Sequence, residues 1–278
     1  MNPLTHAHFA LELFKDHQLS QDEKDHLIVG SIIPDISQLG LINFYQTHTR
    51  GLKLLQHAKD PLLRYLAIGI VLHGEEPHGL DYHAHKKGGY IETKNQPIIK
   101  IIKKYRKHIG KVDNSLAHYV TEFSLDHIVA KRDPALIKKV NLAFMNSKIN
   151  KTVLKFFHFF NVPERKAEKA EKFLNNKHLY QFFSNAQTLQ GLAKNWVNIN
   201  FYRNLKHGRN QPFIEKVRKL TKLSYFNLRR KIQNDPLIKM FYETSEYLGE
   251  DYHHFVAQTQ KQLTPLKNEL LTYCSKKR

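Results

Sequence analysis

Cysteine is nearly absent from this chain of 278 residues: Cys274 stands alone near the C-terminus. An internal disulfide framework and any cysteine-based zinc finger are thereby excluded, and a reducing, cytoplasmic setting is expected. Long apolar runs are missing too. The longest, Leu66 to Leu72, is broken by Gly69 and stops at His73, well short of the roughly 18 apolar residues a membrane span needs. No transmembrane segment is expected. The opening Met-Asn-Pro-Leu-Thr-His lacks the basic and apolar regions of a secretory leader, so none is expected. Strand-like alternation, fixed-period repeats and low-complexity tracts are also lacking. What remains is a globular composition, 41% apolar, sufficient for one large core or two modest ones.

Acidic residues are scarce in one half only. Residues 1–130 carry 15 Lys and Arg against 14 Asp and Glu, whereas residues 131–278 carry 29 against 11. Histidine runs the other way, with 13 of 18 in the first 130 residues. Two parts are therefore expected: a His-rich helical domain over 1–130, and a basic helical part over 131–278, packed on the first or forming a second subdomain. A basic surface of this size is either a set of solvated Lys-rich helix faces or an attraction for phosphate-bearing partners such as nucleic acid or anionic membrane.

Apolar residues recur at helical spacing almost throughout, so the fold class is all-α, a multi-helix bundle. Thr5 is placed to cap a helix over His6–His17. Ser20 with Glu23 forms a capping box for a second. Gly30-Ser-Ile-Ile-Pro-Asp35 reads as a loop, and Thr49–His57 as a short helix. Asp60-Pro61 starts a helix that ends at His73, before Gly74. Residues 74–95, with four glycines and Pro77, read as a long loop. Helices are predicted over Pro97–Ile109 and Ser115–Val129, then over about 134–148, 151–160, 163–175, 179–205, 211–233, 235–260 and 264–275.

Four histidines, two glutamates and an aspartate crowd the stretch from His73 to His85. A packed core does not accept such a set unless each group finds a partner, and neutral imidazoles gathered with carboxylates are the usual donor set of a divalent metal. His118 and Glu122 lie four apart on a helix, so both can bind one ion. Other candidates are His6 or His8 in the first helix, with Thr-His favouring His6, then Asp35, His48, His73, Asp81 and His83. His78 and His85 read as loop residues, and His253-His254 as part of an amphipathic helix. Phe156, Phe157, Phe159 and Phe160 read as core.

Gly-Ser-Ile-Ile-Pro-Asp35, Thr-His48-Thr-Arg-Gly, Leu-His73, Gly79-Leu-Asp-Tyr-His83 and Ala-His118-Tyr-Val-Thr-Glu122 occur in one order after Met-Asn-Pro-Leu-Thr-His. The ordered set, over about residues 3–127, resembles the zinc-dependent phospholipase C family, related to single-strand-specific zinc nucleases. The resemblance implies an all-helical fold with a cluster of two or three zinc ions, or another divalent metal, that hydrolyses phosphoesters. One ion would take His83, His118 and Glu122. A second would take His48 and His73, with Asp35 bridging towards a third shared with His6. Such ions lower the pKa of a bridging water from about 15.7 towards 7, and Asp35 would be the catalytic base. The chain departs from the family pattern H-x3-D-x5-H at Pro77, where an acid is expected; Asp81 or Glu76 would replace it, and Asp81 is favoured. It also lacks an N-terminal tryptophan, since its one tryptophan is Trp196.

The function implied is a phospholipase C-like metal-dependent hydrolase acting on a phospholipid, nucleotide or other phosphoester. A metal phosphohydrolase of the HD type is disfavoured, because no His is followed directly by Asp. The remaining alternative is a non-catalytic metal-binding protein whose basic part binds nucleic acid or anionic membrane.

Overall fold

Helix-start chemistry in the sequence is realised locally. Ser20 and Glu23 exchange side-chain and backbone hydrogen bonds at the head of one helix. Asp60 accepts the Leu62 N–H at the head of another, with Pro61 in the first position. Asp113 accepts the Leu116 N–H at a third.

The structure, a computed structural model, describes residues 3–39, 42–109, 112–174, 177–206 and 213–275. Among the described residues 84% are helical and no strand occurs. The helices are α1 (Pro3–Leu13), α2 (Gln21–Ile32), α3 (Phe44–Thr49), α4 (Gly51–His57), α5 (Pro61–His73), α6 (Leu80–His85), α7 (Tyr90–Lys103), α8 (Arg106–Ile109), α9 (Asn114–Arg132), α10 (Pro134–Met145), α11 (Ser147–Phe159), α12 (Glu164–Leu174), α13 (Lys177–Asn185), α14 (Leu189–Lys206) and α15 (Phe213–Ser275). A 3-10 turn, Ile33–Leu39, continues α2. No helix among the described residues is long and apolar enough to cross a membrane.

Three loop and boundary expectations are corrected. Gly30 lies inside α2, and the segment to Asp35 is helical. Gly30 and Gly69 mark the crossing of α2 and α5, where a Cβ on Gly30 would collide with the Leu66 carbonyl oxygen and one on Gly69 with that of Leu27. The glycines thus permit close backbone packing. Residues 74–95 are not one loop. Gly79 and Gly89 stand at the N-caps of α6 and α7, and Pro97 lies within α7. The three helices expected between 211 and 275 are one, α15. Pro236 and Pro265 each remove an N–H from its interior without ending it. The first two residues of the expected 211–233 helix lie outside the described residues.

One apolar core joins the front and back of the chain. It takes in Leu4, Leu66 and Val120 together with Phe144, Phe241 and Leu263. Phe156, Phe157 and Phe160 are buried as expected, with Phe159 partly so. The change in charge at residue 130 falls within α9. The helices α1 and α10 pack on α2, α9 packs on α1 and α10, and the C-terminal end of α5 faces α1, α3 and α6. That end carries His73.

Candidate metal centre

Five elements bring side chains to the end of α5. Asp126 on α9 fixes the start of α1: it accepts the Thr5 N–H at 2.9 Å, the Thr5 hydroxyl at 2.9 Å and the Leu4 N–H at 3.3 Å. A carboxylate at helical N–H groups anchors the helix end, and His6 follows directly. His6 stacks on His73, ring centroids 3.7 Å apart. His8, two residues on, turns away from this cluster and is only partly buried, so His6 is the inward histidine.

His73 and His48 have their outer nitrogens committed. The Nδ1 of His73 faces the Ser31 carbonyl oxygen at 2.7 Å, and that of His48 faces the Phe44 carbonyl oxygen at 3.0 Å. With hydrogens assigned to these two Nδ1 atoms, both Nε2 lone pairs point inward, and they approach to 3.3 Å. Two imidazole lone pairs at that distance repel unless a cation, a proton or a metal ion, lies between them.

Of Asp81 and Glu76, it is Asp81 that reaches the imidazoles. Gly79 makes this possible, because a Cβ there would collide with the carbonyl oxygens of Val71, Gly74 and Leu72. The tight turn folds α6 over the end of α5 and delivers Asp81 to three imidazoles. Its carboxylate oxygens lie 3.2 Å from His6 Nε2, 3.3 Å from His73 Nε2 and 3.5 Å from His48 Nε2. Glu76, the other candidate, is exposed. Asp35, at the first turn of the 3-10 segment, stands with His48 and His73, donor atoms within 4.8 Å of one another; so do His6, His73 and Asp81. All five side chains are buried.

A second group lies at α6 and α9. His85 Nε2 is 3.4 Å and His118 Nε2 is 3.1 Å from the same Glu122 oxygen. The two ring centroids are 4.7 Å apart. Glu122 is buried, while the His85 and His118 side chains are 26% and 31% exposed. This group opens to solvent and the first is closed.

His83 does not join His118 and Glu122, contrary to the sequence reading. On α6 it is two residues from both Asp81 and His85, so it faces the other side. There it lies beside Lys86 Nζ at 3.3 Å and against the Tyr82 ring. His85, read as a loop residue, takes its place. The signal was available: Asp81 and His85 have the same i, i+4 spacing as His118 and Glu122.

The electrostatics follow the geometry. Burial and the nearby His73 lower His6, and push His48 down to about 4. Burial also opposes charge on His73, but Asp81 outweighs it and raises this imidazole to about 9. Burial works against ionisation of Asp81, yet His73 and His6 hold it well below the carboxylate range. Glu122 is likewise depressed, against burial, with the hydrogen bonds from His118 and His85 among the causes. His85 is raised, because Glu122 and Asp81 outweigh burial.

This donor set fits a divalent metal. It offers imidazole nitrogens whose far sides are fixed by carbonyls, together with ionised buried carboxylates. The His6 Nδ1 atom is buried without a hydrogen-bond partner among the described residues. His73 belongs to both inner groups, and Asp81 and His85 tie the inner and outer groups to one short helix. Comparison with protein-family models, curated proteins and solved structures finds no match to this chain.

Proposed function

We propose that this protein is a metal-dependent hydrolase of phosphoesters, phospholipase C-like in fold and chemistry. The inner ions would be held by His6, His48, His73, Asp35 and Asp81, and an outer ion by His85, His118 and Glu122. The observation that carries the reading is the buried convergence of His6, His48 and His73 on Asp81, with Asp35 beside His48 and His73, a donor set that suits a divalent cation. Zinc, with its affinity for imidazole and carboxylate, suits the donors best; another divalent ion has the same ligands.

When bound, divalent ions supply Lewis-acid polarisation of water and of phosphoryl oxygens. The chain's own residues do the rest. Asp35 is assigned the water's proton, since Asp81 is already engaged by three imidazoles. The buried inner group excludes bulk solvent, which strengthens each electrostatic contact. The partly exposed His85–His118 edge is where a phosphoester enters. The single cysteine fits a reducing, cytoplasmic setting.

The burial of the inner group also favours a second reading, a structural metal site in a non-catalytic protein, because structural sites are closed and catalytic ones keep an open position. The outer group weighs against it. Hydrolysis of bis-p-nitrophenyl phosphate by zinc-loaded protein separates the two. The first reading expects turnover that chelation abolishes and zinc restores. Full zinc loading with no turnover leaves only the structural one.

A further inference from the structure

We propose that the outward face of α10 and α11 is a docking surface for an anionic lipid bilayer. Residues 134–163 contain five lysines and no acidic residue. Lys138, Lys139, Lys148 and Lys151 are all exposed on these two helices. Acids from neighbouring elements reach some of them: Asp133 lies 3.9 Å from Lys139, and Asp22 pairs with Lys148. Lys138 and Lys151 have no ion pair among the described residues.

The exposed side of α10 carries two of the five large apolar side chains that are prominently exposed among the described residues. Leu142 is 50% and Met145 64% exposed. They lie three apart on α10, with Lys138 one turn before Leu142 and Lys148 three residues after Met145. The inward face of α10, including Leu136, Val140 and Phe144, is already buried in the core, so this pair is not part of the packing. Aliphatic side chains set among lysines match an interface of anionic headgroups over acyl chains, where lysines meet phosphate and the apolar tips enter the hydrocarbon edge. A nucleic-acid surface would instead call for arginine forks or stacking aromatics. Residues 134–163 hold no arginine, and their phenylalanines are turned into the core or partly buried.

Binding to a membrane here does not depend on the metal centre. Flotation of the full chain with vesicles of phosphatidylcholine alone, and with vesicles containing a third phosphatidylserine, tests it. Wild type is expected to bind the anionic vesicles in preference, less so at high salt, and unchanged after chelation. Lys138→Glu/Lys151→Glu should weaken that binding by about tenfold or more. Leu142→Ser/Met145→Ser should weaken it several-fold at unchanged thermal stability. Equal binding to both vesicle types, or variants that bind like wild type, overturns the proposal. So does binding of a single-stranded oligonucleotide that depends on Lys138 and Lys151 while vesicles are ignored.

Discussion

Asp81 and His85 stand one helical turn apart on α6 and serve different ligand groups: Asp81 meets His6, His48 and His73, while His85 meets Glu122 and His118. One short helix therefore sets the spacing of the whole centre. His83, between them in sequence, faces away. Replacing His85 by Ala should cost about one ion per chain and lower zinc retention, because the outer group would keep only two donors. His83→Ala should keep the wild-type metal content. Elemental analysis of the two purified variants decides it, and the reverse pattern would restore the sequence-based ligand set.

Phe44 holds His48 from outside. Its ring lies 3.7 Å from the imidazole, nearly parallel, and its carbonyl oxygen faces Nδ1. Because the Phe44 ring is 49% exposed, it shields a buried ligand from water. Phe44→Ala keeps the carbonyl but removes the shield. Removal of metal by a chelator should become roughly tenfold faster, with Phe44→Tyr restoring the slow rate. Equal rates for all three proteins would show that the ring does not protect the site.

His73 makes metal uptake pH-dependent. In the metal-free protein its imidazole is raised from 6.5 to about 9 by Asp81, so it carries a proton near neutral pH, whereas a ligand must be neutral. Loading should release about one proton near neutral pH and fewer as pH passes 9. Calorimetry in buffers of different ionisation enthalpy measures this. The same shift fixes the sign for stability. A raised folded-state value means that the His73–Asp81 pairing stabilises the metal-free protein fully below about 6.5, and that this contribution is lost as pH rises through about 9. Metal uptake without proton release contradicts this account of His73.

Gly69→Ala tests the helix crossing that positions His73. The added Cβ would collide with the Leu27 carbonyl oxygen and crowd the Ser31 backbone nitrogen, and neither backbone atom can turn aside. A loss of about 2–3 kcal/mol is expected in denaturant unfolding. The Ser31 carbonyl oxygen fixes His73, so metal affinity should fall as well. Wild-type stability would mean that α2 and α5 are not packed this closely.

Much of this was legible in the sequence. Helix starts at Ser20 and Asp60 rest on local hydrogen bonds between near neighbours, and these came out as expected. Asp35, His48, His73, Asp81, His118 and Glu122 were all picked out as candidate donors, and the structure gathers them into the two groups. The failures in the first half of the chain share a cause. Glycine was read as a chain breaker, but Gly30 and Gly69 serve a helix crossing, and Gly79 a turn before a helix. Misreading the segment after Gly79 as loop removed the 100° periodicity that separates His83 from His85. Likewise, nothing local in α15 reveals that it continues past Pro236 and Pro265, since that depends on packing against α9 and α14.

The most direct measurement is the metal content of the wild-type protein, purified and reloaded with zinc before removal of unbound ion. At least two tightly held divalent ions per chain are expected, one or more in the closed group around His73 and one in the open group at Glu122. A chain that folds and retains no divalent ion would contradict the central claim.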